Sequence, residues 1–421
     1  MSYTNISGVV VLAFFLGSKL VLAQDEPVDA MLDFEVPTGE PVADTPTEST
    51  PTPVAKAMDN LRFDFAFRLG SNKDLDINSH RFDSRLIWQG LLGKRLFTEL
   101  DGKLVLRGPG DQQLEADQDV NAQLKLNKLS VQTNLGPLSA KLGFETITWG
   151  EMDTVGIVDV LSPWDYTENA FTAPEDARIG QALLSTDLYL KDTRLNVVFN
   201  PFPQTSLFPA GTAASLSTVD NEYELAARVK YNYGPGDVAL YAARVVSDNP
   251  VLENFTTLTY PAYHMLAGSI NIARGSFLWK SEGAYKKDLP LSPGTALKAD
   301  VLQGALGFDY NPGNSHALTL EASAQYVLSD TAQLPGVQTL STSVNLRWSK
   351  NFLHDTLMLV GFGSYQLDYG DIVAAMAVQY AINDYWKLQM NATLFEIPDT
   401  NSPQKLADDF DSINIGVSLS I

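Results

Sequence analysis

Asn414-Ile415-Gly416-Val417-Ser418-Leu419-Ser420-Ile421 ends the chain. Apolar residues stand at Ile413, Ile415, Val417, Leu419 and Ile421, and small or polar ones at Ser412, Asn414, Gly416, Ser418 and Ser420. This side-chain period of two belongs to a β-strand whose two faces meet different surroundings. A strand carried to the last residue is expected to close a sheet.

The same alternation recurs upstream. Leu61, Phe63, Phe65, Phe67 and Leu69 alternate with Arg62, Asp64, Ala66 and Arg68. Tyr223, Leu225, Ala227, Val229 and Tyr231 alternate with Glu222, Glu224, Ala226, Arg228 and Lys230. Leu318 to Tyr326 and Trp386 to Leu394 behave alike. Many runs reach about ten residues, the length a tilted strand needs to cross a bilayer, whereas soluble strands average nearer five or six. Aromatic residues near run ends (Trp88, Phe97, Tyr189, Tyr233, Tyr285, Tyr310, Trp348, Trp386 and Phe395) suggest two interfacial girdles.

The connections alternate in length. Short ones fall at 90–95, 134–137, 191–193, 234–236, 273–275, 311–315, 350–355 and 382–385. Between them lie mostly longer ones: 71–79, 108–118, 148–182, 200–221, 248–261, 287–299, 328–338 and 396–411, with 368–370 the short exception. Short turns on one side and long loops on the other are the asymmetry of outer-membrane barrels. The reading is an all-β, transmembrane antiparallel β-barrel of about 18 strands over 60–421, with both termini periplasmic. Sixteen is the alternative, if the hairpin 183–199 is shorter than drawn. An open strand edge in lipid would leave backbone groups unpaired, so the sheet must close.

Composition narrows the function classes. The 421 residues include 29 Lys+Arg, 50 Asp+Glu and no Cys, for a net charge of −21. Without Cys there are no disulfides, thiolate metal sites or Cys-linked lipid anchors. The acidic balance argues against nucleic acid, which needs clustered basic residues. Residues 1–23 read as a signal peptide, with an apolar run from Val9 to Leu16 and Val21-Leu22-Ala23 before Gln24. Residues 24–59 hold nine acidic residues, one Lys (Lys56) and Pro at 27, 37, 41, 46, 51 and 53. Such a stretch buries too little apolar surface to order itself, and reads as a disordered periplasmic arm, a spacer or a ligand for a periplasmic partner.

A barrel this wide has room for water and solute. Arg62, Asp64, Arg68, Glu99, Asp101, Lys103, Arg107, Glu222, Glu224, Arg228, Lys280 and Glu282 fall on the polar side of their runs. Each would cost about 2–4 kcal/mol against lipid at mid-depth, so they are expected to line the lumen. There they filter solutes by charge and shape, or brace the wall of a plugged barrel. The segment 148–182 lacks strand periodicity and carries seven acidic residues against one Arg. Long aperiodic connections in compact folds are usually functional. Folded inward, this one would form a constriction through Glu151, Asp153, Asp159, Asp165, Glu175, Asp176 and Arg178, favouring cations or neutral polyhydroxylated solutes.

The closing strand, polar then Gly then alternating apolar, resembles the C-terminal recognition signal of bacterial outer-membrane barrels, with Ile421 where that family usually has Phe. It implies engagement by the barrel-assembly machinery. Trp149-Gly150-Glu151, Asp159-Val160-Leu161-Ser162-Pro163-Trp164-Asp165, Glu175-Asp176-Ala177-Arg178 and Asn200-Pro201-Phe202-Pro203 resemble an uncharacterised family of Gram-negative outer-membrane proteins. That resemblance implies a porin-like barrel in the cell outer membrane, amid lipid and lipopolysaccharide, passing small hydrophilic solutes without a cofactor. Two other readings remain. One is a barrel lipase or protease using His80 or His264, with Asp64 and Asp83 or Glu99 and Asp101 as paired carboxylates. The other is a barrel partner of an export or uptake system. No Gly-x-Ser-x-Gly, His-Glu-x-x-His or P-loop motif occurs.

Overall fold

The computed structural model describes residues 60–93, 95–109, 111, 120–165, 177–207, 222–248, 250–253, 257–291, 298–313, 315–329, 337–400, 402 and 411–421. The signal and arm readings, and Glu175 and Asp176, lie outside them. The first half of the barrel is built from β1 (Leu61–Ser71), β2 (Ile77–Leu92), β3 (Leu96–Arg107), β4 (Asn121–Leu135), β5 (Leu138–Glu145), β6 (Gln181–Leu190), β7 (Thr193–Asn200), β8 (Glu224–Asn232) and β9 (Asp237–Val246). A small separate ribbon pairs β10 (Val251–Glu253) with β11 (Thr257–Thr259). The second half is β12 (Ala262–Arg274), β13 (Phe277–Pro290), β14 (Lys298–Tyr310), β15 (His316–Val327), β16 (Leu340–Phe352), β17 (Leu357–Gln366), β18 (Asp371–Ala381), β19 (Trp386–Glu396) and β20 (Ser412–Ser420).

These form one 18-stranded antiparallel sheet in which each barrel strand pairs with its chain neighbours. β9 pairs with β12 across the ribbon. The hairpin β6–β7 is complete, which decides for 18 over 16. β20 returns to β1, and the seal is reciprocal: Phe63 N–H donates to the Ile421 carbonyl at 2.8 Å and Ile421 N–H to the Phe63 carbonyl at 2.9 Å. The sheet has no free edge, the condition for a β-structure in hydrocarbon. No helix among the described residues is long and apolar enough to cross a membrane. Both ends of the barrel chain sit at the rim with the short turns. One of the two-residue turns is Gly136-Pro137, where Gly136 takes φ 62°, a conformation that glycine adopts at little cost.

Register assigns the faces, because residues directly opposite in an antiparallel pair project to the same side. Leu240, Leu266 and Leu306 point outward and are 66%, 62% and 68% exposed. An apolar belt this extensive is what a lipid-facing surface presents. Trp88, Tyr285, Tyr310, Trp348 and Trp386 share that outer face. Phe97, Tyr189 and Phe395 correct the girdle reading. They pair with Gln132, Arg194 and Val373 and project inward, Tyr189 lying under the Arg194 guanidinium at 5.3 Å. Being aromatic and near a strand end did not determine their face; strand parity did.

The main apolar cluster lies inside the barrel. Trp149, Met152, Val155, Ile157, Val158, Val160 and Leu161, from the β5–β6 connection, pack on Leu183, Val198, Ala226, Ala239, Tyr241, Ala243, Val245, Tyr263, Met265, Ala284 and Ala305 of the wall. The small inward residues of β8, β9, β13 and β14 make the recess that receives the loop.

Candidate functional site: the lumen and its inward loop

The loop from Ile147 to Asp165 is fixed at its root and at its tip. At its root, Ser162 Oγ accepts Ile147 N–H at 2.8 Å and donates back to the Ile147 carbonyl at 3.0 Å. The Arg178 guanidinium lies 3.9 Å over the Trp164 ring, donates to the Ser162 carbonyl at 2.9 Å and pairs with Asp159. Asp165 pairs with Lys125 of β4.

At its tip the backbone of residues 151–154 lies on two carboxylates of the opposite wall. Glu282 Oε1 accepts the amides of Glu151 and Met152, the latter at 3.1 Å, and the Val158 amide also bonds this carboxylate. Glu321, fully buried, accepts the amides of Asp153 and Thr154 at 2.8 Å each and the Thr154 hydroxyl at 2.5 Å. Lys280 sits between them, 2.6 Å from Asp153, 2.9 Å from Asp309 and 3.0 Å from Glu321. Burial pushes the Asp153 carboxyl up to about 7; Lys280 opposes the shift, while Asp309 and Glu321 add to it. Gly150 permits this approach. Its φ is 110°, and a Cβ there would stand 2.6 Å from Glu282 Oε1.

The acidic residues expected to form a constriction are thus inside the barrel but not free. Glu151 pairs with Lys230 at 3.3 Å and accepts from Asn271, Asp153 pairs with Lys280, Asp159 with Arg178, and Asp165 with Lys125. Their charges are compensated, three by lysines of the wall and that of Asp159 by Arg178 at the loop's own root.

The expected wall residues also have definite places. Arg68, Arg81 and Arg107 stand side by side across β1, β2 and β3, as do Asp64, Arg85 and Lys103 two same-face positions further along. Lys125 continues that row on β4. Asp83 takes Arg81 at 2.6 Å and Arg68 at 3.2 Å, and Asp101 takes Arg85 at 2.6 Å. Arg62 pairs with Asp64 at 2.9 Å near the short-turn rim, and Arg107 lies 3.9 Å from Asp111. Glu99 joins Glu145 in a box with Lys128 and Lys141. The carboxylates considered as catalytic pairs are therefore held by cations rather than by each other. Glu224 accepts Asn200 at 2.9 Å and the Val246 amide at 3.1 Å. Arg228 lies 5.7 Å from the Trp149 ring. Glu222 precedes β8 and pairs with Arg244, which shares the outer face with His264. His264 itself projects outward beside Lys287, and His316 accepts the Trp348 indole N–H at 2.5 Å.

Sequence reasoning passed over the neutral inward residues of β15–β20. Besides the charged Glu321, Arg347, Asp371 and Lys387, the inward positions of this wall include many neutral hydroxyls and amides: Ser323, Gln325, Ser343, Asn345, Ser364, Gln379, Gln389, Asn391, Thr393 and Asn414. The signal was available as the polar half of each alternation, but only charged residues had been singled out. The lumen therefore has three sectors: a basic wall on β1–β4, a wall rich in hydroxyls and amides on β15–β20, and the loop, which reaches as far as Glu321 of β15.

No family model matches the chain, and no curated protein matches it. Solved structures do. The outer membrane protein OpdK from Pseudomonas aeruginosa aligns over 86% of this chain and 99% of its own, with 11% identity and a TM-score of 0.54. OccAB1 from Acinetobacter baumannii aligns over 86% and 95%, with 10% identity and a TM-score of 0.54. A BenF-like porin from Pseudomonas fluorescens Pf-5 aligns over 86% and 97%, with 10% identity and a TM-score of 0.54. At such identity the likeness is one of fold, the fold of 18 strands traced above.

Proposed function

We propose that this chain is an outer-membrane channel for small hydrophilic solutes, with its short-turn rim and both barrel ends on the periplasmic side. The observation that carries the reading is the three-sector lumen under an apolar outer belt. A sealed structural barrel would have no use for a wall of hydroxyls and amides running into a wall of guanidinium and ammonium groups. Such surfaces replace a solute's hydration shell while it passes. Diffusion through them needs no cofactor.

The hydroxyl and amide wall suits polyhydroxylated solutes, as the sequence suggested. The cation preference expected from the acid-rich loop is set aside, because each described loop carboxylate meets a basic partner. The remaining field comes from β1–β4: with Lys125 set against Asp165, the groups Arg62, Arg68, Arg81, Arg85, Lys103, Arg107 and Lys128 still slightly outnumber Asp64, Asp83, Glu99, Asp101, Asp111 and Glu145. That excess favours solutes carrying a carboxylate. Two of the similar structures hold such molecules, OpdK with vanillate and OccK2 with glucuronate. The test is planar-bilayer current with a reversal potential in a salt gradient, followed by block of that current with hydroxylated carboxylates and with their neutral counterparts. Current that leans toward anions and is blocked more strongly by the carboxylates supports the proposal. Absence of current in a folded barrel refutes it.

A further inference from the structure

Most of the loop's hold on the wall is apolar and gives no direction. The contacts at the tip are different in kind. Consecutive backbone amides from 151 to 154 point at two wall carboxylates that are 131 and 168 residues away in sequence. Backbone amides converging on an anion form a specific receptor, and hydrogen bonds to a charged acceptor are roughly twice as strong as neutral ones. Such contacts fix where the backbone lies, and so how far the loop projects into the passage.

We propose that Glu282 and Glu321 are the positioning residues of the constriction: they bind the loop tip by its backbone and thereby set the width of the pore. This rests on the channel reading. Three observations support it independently of one another. The two carboxylates together accept the Glu151, Met152, Asp153 and Thr154 amides and the Thr154 hydroxyl. Gly150 stands where a side chain would push the loop off Glu282. Lys280 braces Glu321 from its own side of the wall, so that the carboxylate is held in place to receive the loop. Releasing the tip leaves the root contacts at Ser162, Arg178 and Lys125 intact, so the loop swings without leaving the barrel.

Glu321→Gln is the sharpest perturbation. Both Glu321 oxygens accept loop donors, so an amide places N–H against N–H at one of them. Losing one charge-assisted bond is expected to raise the ratio of released to held loop by about tenfold to a hundredfold. The experiment measures single-channel conductance in planar bilayers and amide hydrogen exchange of the peptide covering 149–158, using the full-length protein in lipid. Glu282→Gln, Glu321→Gln, Gly150→Ala and Thr154→Val are compared with wild type and with Asp384→Asn in the distant 382–385 turn. The expected result is faster exchange of 149–158 and larger conductance in the first three, a smaller change in Thr154→Val, and no change in the turn variant. If Glu321→Gln fails to assemble, Gly150→Ala and Thr154→Val carry the test, because neither alters a wall residue. A conducting wild type whose variants match it in exchange and conductance overturns the proposal. A wild type that does not conduct, with faster exchange in the variants, keeps the positioning role and refutes the channel.

Discussion

Two arginine substitutions one residue apart on β19 test which side of the wall meets lipid. Met390 projects outward, 44% exposed, between Ile415 and Val378, while Gln389 projects inward between Gly416 and Gln379. β19 runs from Trp386 to Glu396, so Met390 lies one residue from its midpoint. With a rise of about 3.4 Å per residue and a tilt of about 45°, that is within about 3 Å of the bilayer centre. Met390→Arg then carries nearly the full mid-depth penalty of about 2–4 kcal/mol. This corresponds to about a 30-fold to 1000-fold loss in the folded-to-unfolded ratio. Gln389→Arg faces water and is expected to change stability by less than about 0.5 kcal/mol. Denaturant titration of both variants in phospholipid vesicles, followed by tryptophan fluorescence, gives the comparison. Equal effects, or a larger loss for Gln389→Arg, would refute the assignment of faces and the membrane reading with it.

Other predictions concern the loop, the wall and the backbone. Asp153 has its carboxyl pushed up to about 7 when the loop is held, against an ordinary carboxylate value of 3.8 when it is released. The held state therefore binds the proton. Its contribution to loop retention is full below about pH 4 and is lost as pH rises through 7. Hydrogen exchange of 149–158, corrected for the intrinsic rate, should accordingly slow between pH 8 and pH 5, and Asp153→Asn should reduce that pH dependence. Gln at Arg85 and Lys103 together should reduce the anion preference read from the reversal potential while leaving the fold intact; an unchanged potential would place the selective field elsewhere. Gly143→Ala should destabilise the barrel by more than about 1 kcal/mol in the same vesicle titration, since φ is 144° and the new Cβ would fall on the Leu129 carbonyl oxygen and 2.6 Å from Ser130 Cα. A neutral outcome would mean that β4 and β5 yield at that crossing.

The strands were legible because lipid outside and water inside impose opposite chemistry on alternate residues. Leu61 to Leu69, Tyr223 to Tyr231 and Ile413 to Ile421 display it openly. Turn and loop lengths then gave the hairpin count. The loop was legible as a long aperiodic segment bound for the interior, and its acidic residues drew the eye. Its Val155, Ile157, Val158, Val160 and Leu161 decide where it rests, and their partners are inward alanines, Ala226, Ala239, Ala243, Ala284 and Ala305. Those alanines are places where the polar half of the alternation lapses, which hints that something apolar covers the wall. The roles of Glu282 and Glu321 could not be read from sequence. A carboxylate that receives backbone amides more than a hundred residues away leaves no local pattern. The neutral state of the constriction was hidden for the same reason: counting the loop's acids omits Lys125, Lys230 and Lys280, which the barrel sets against them.

Single-channel recording of the purified full-length protein in a salt gradient tests the central claim most directly. The account predicts discrete, voltage-supported conductance steps with a reversal potential displaced toward anions. Silent bilayers containing correctly folded barrel, or a reversal potential displaced firmly toward cations, would contradict it.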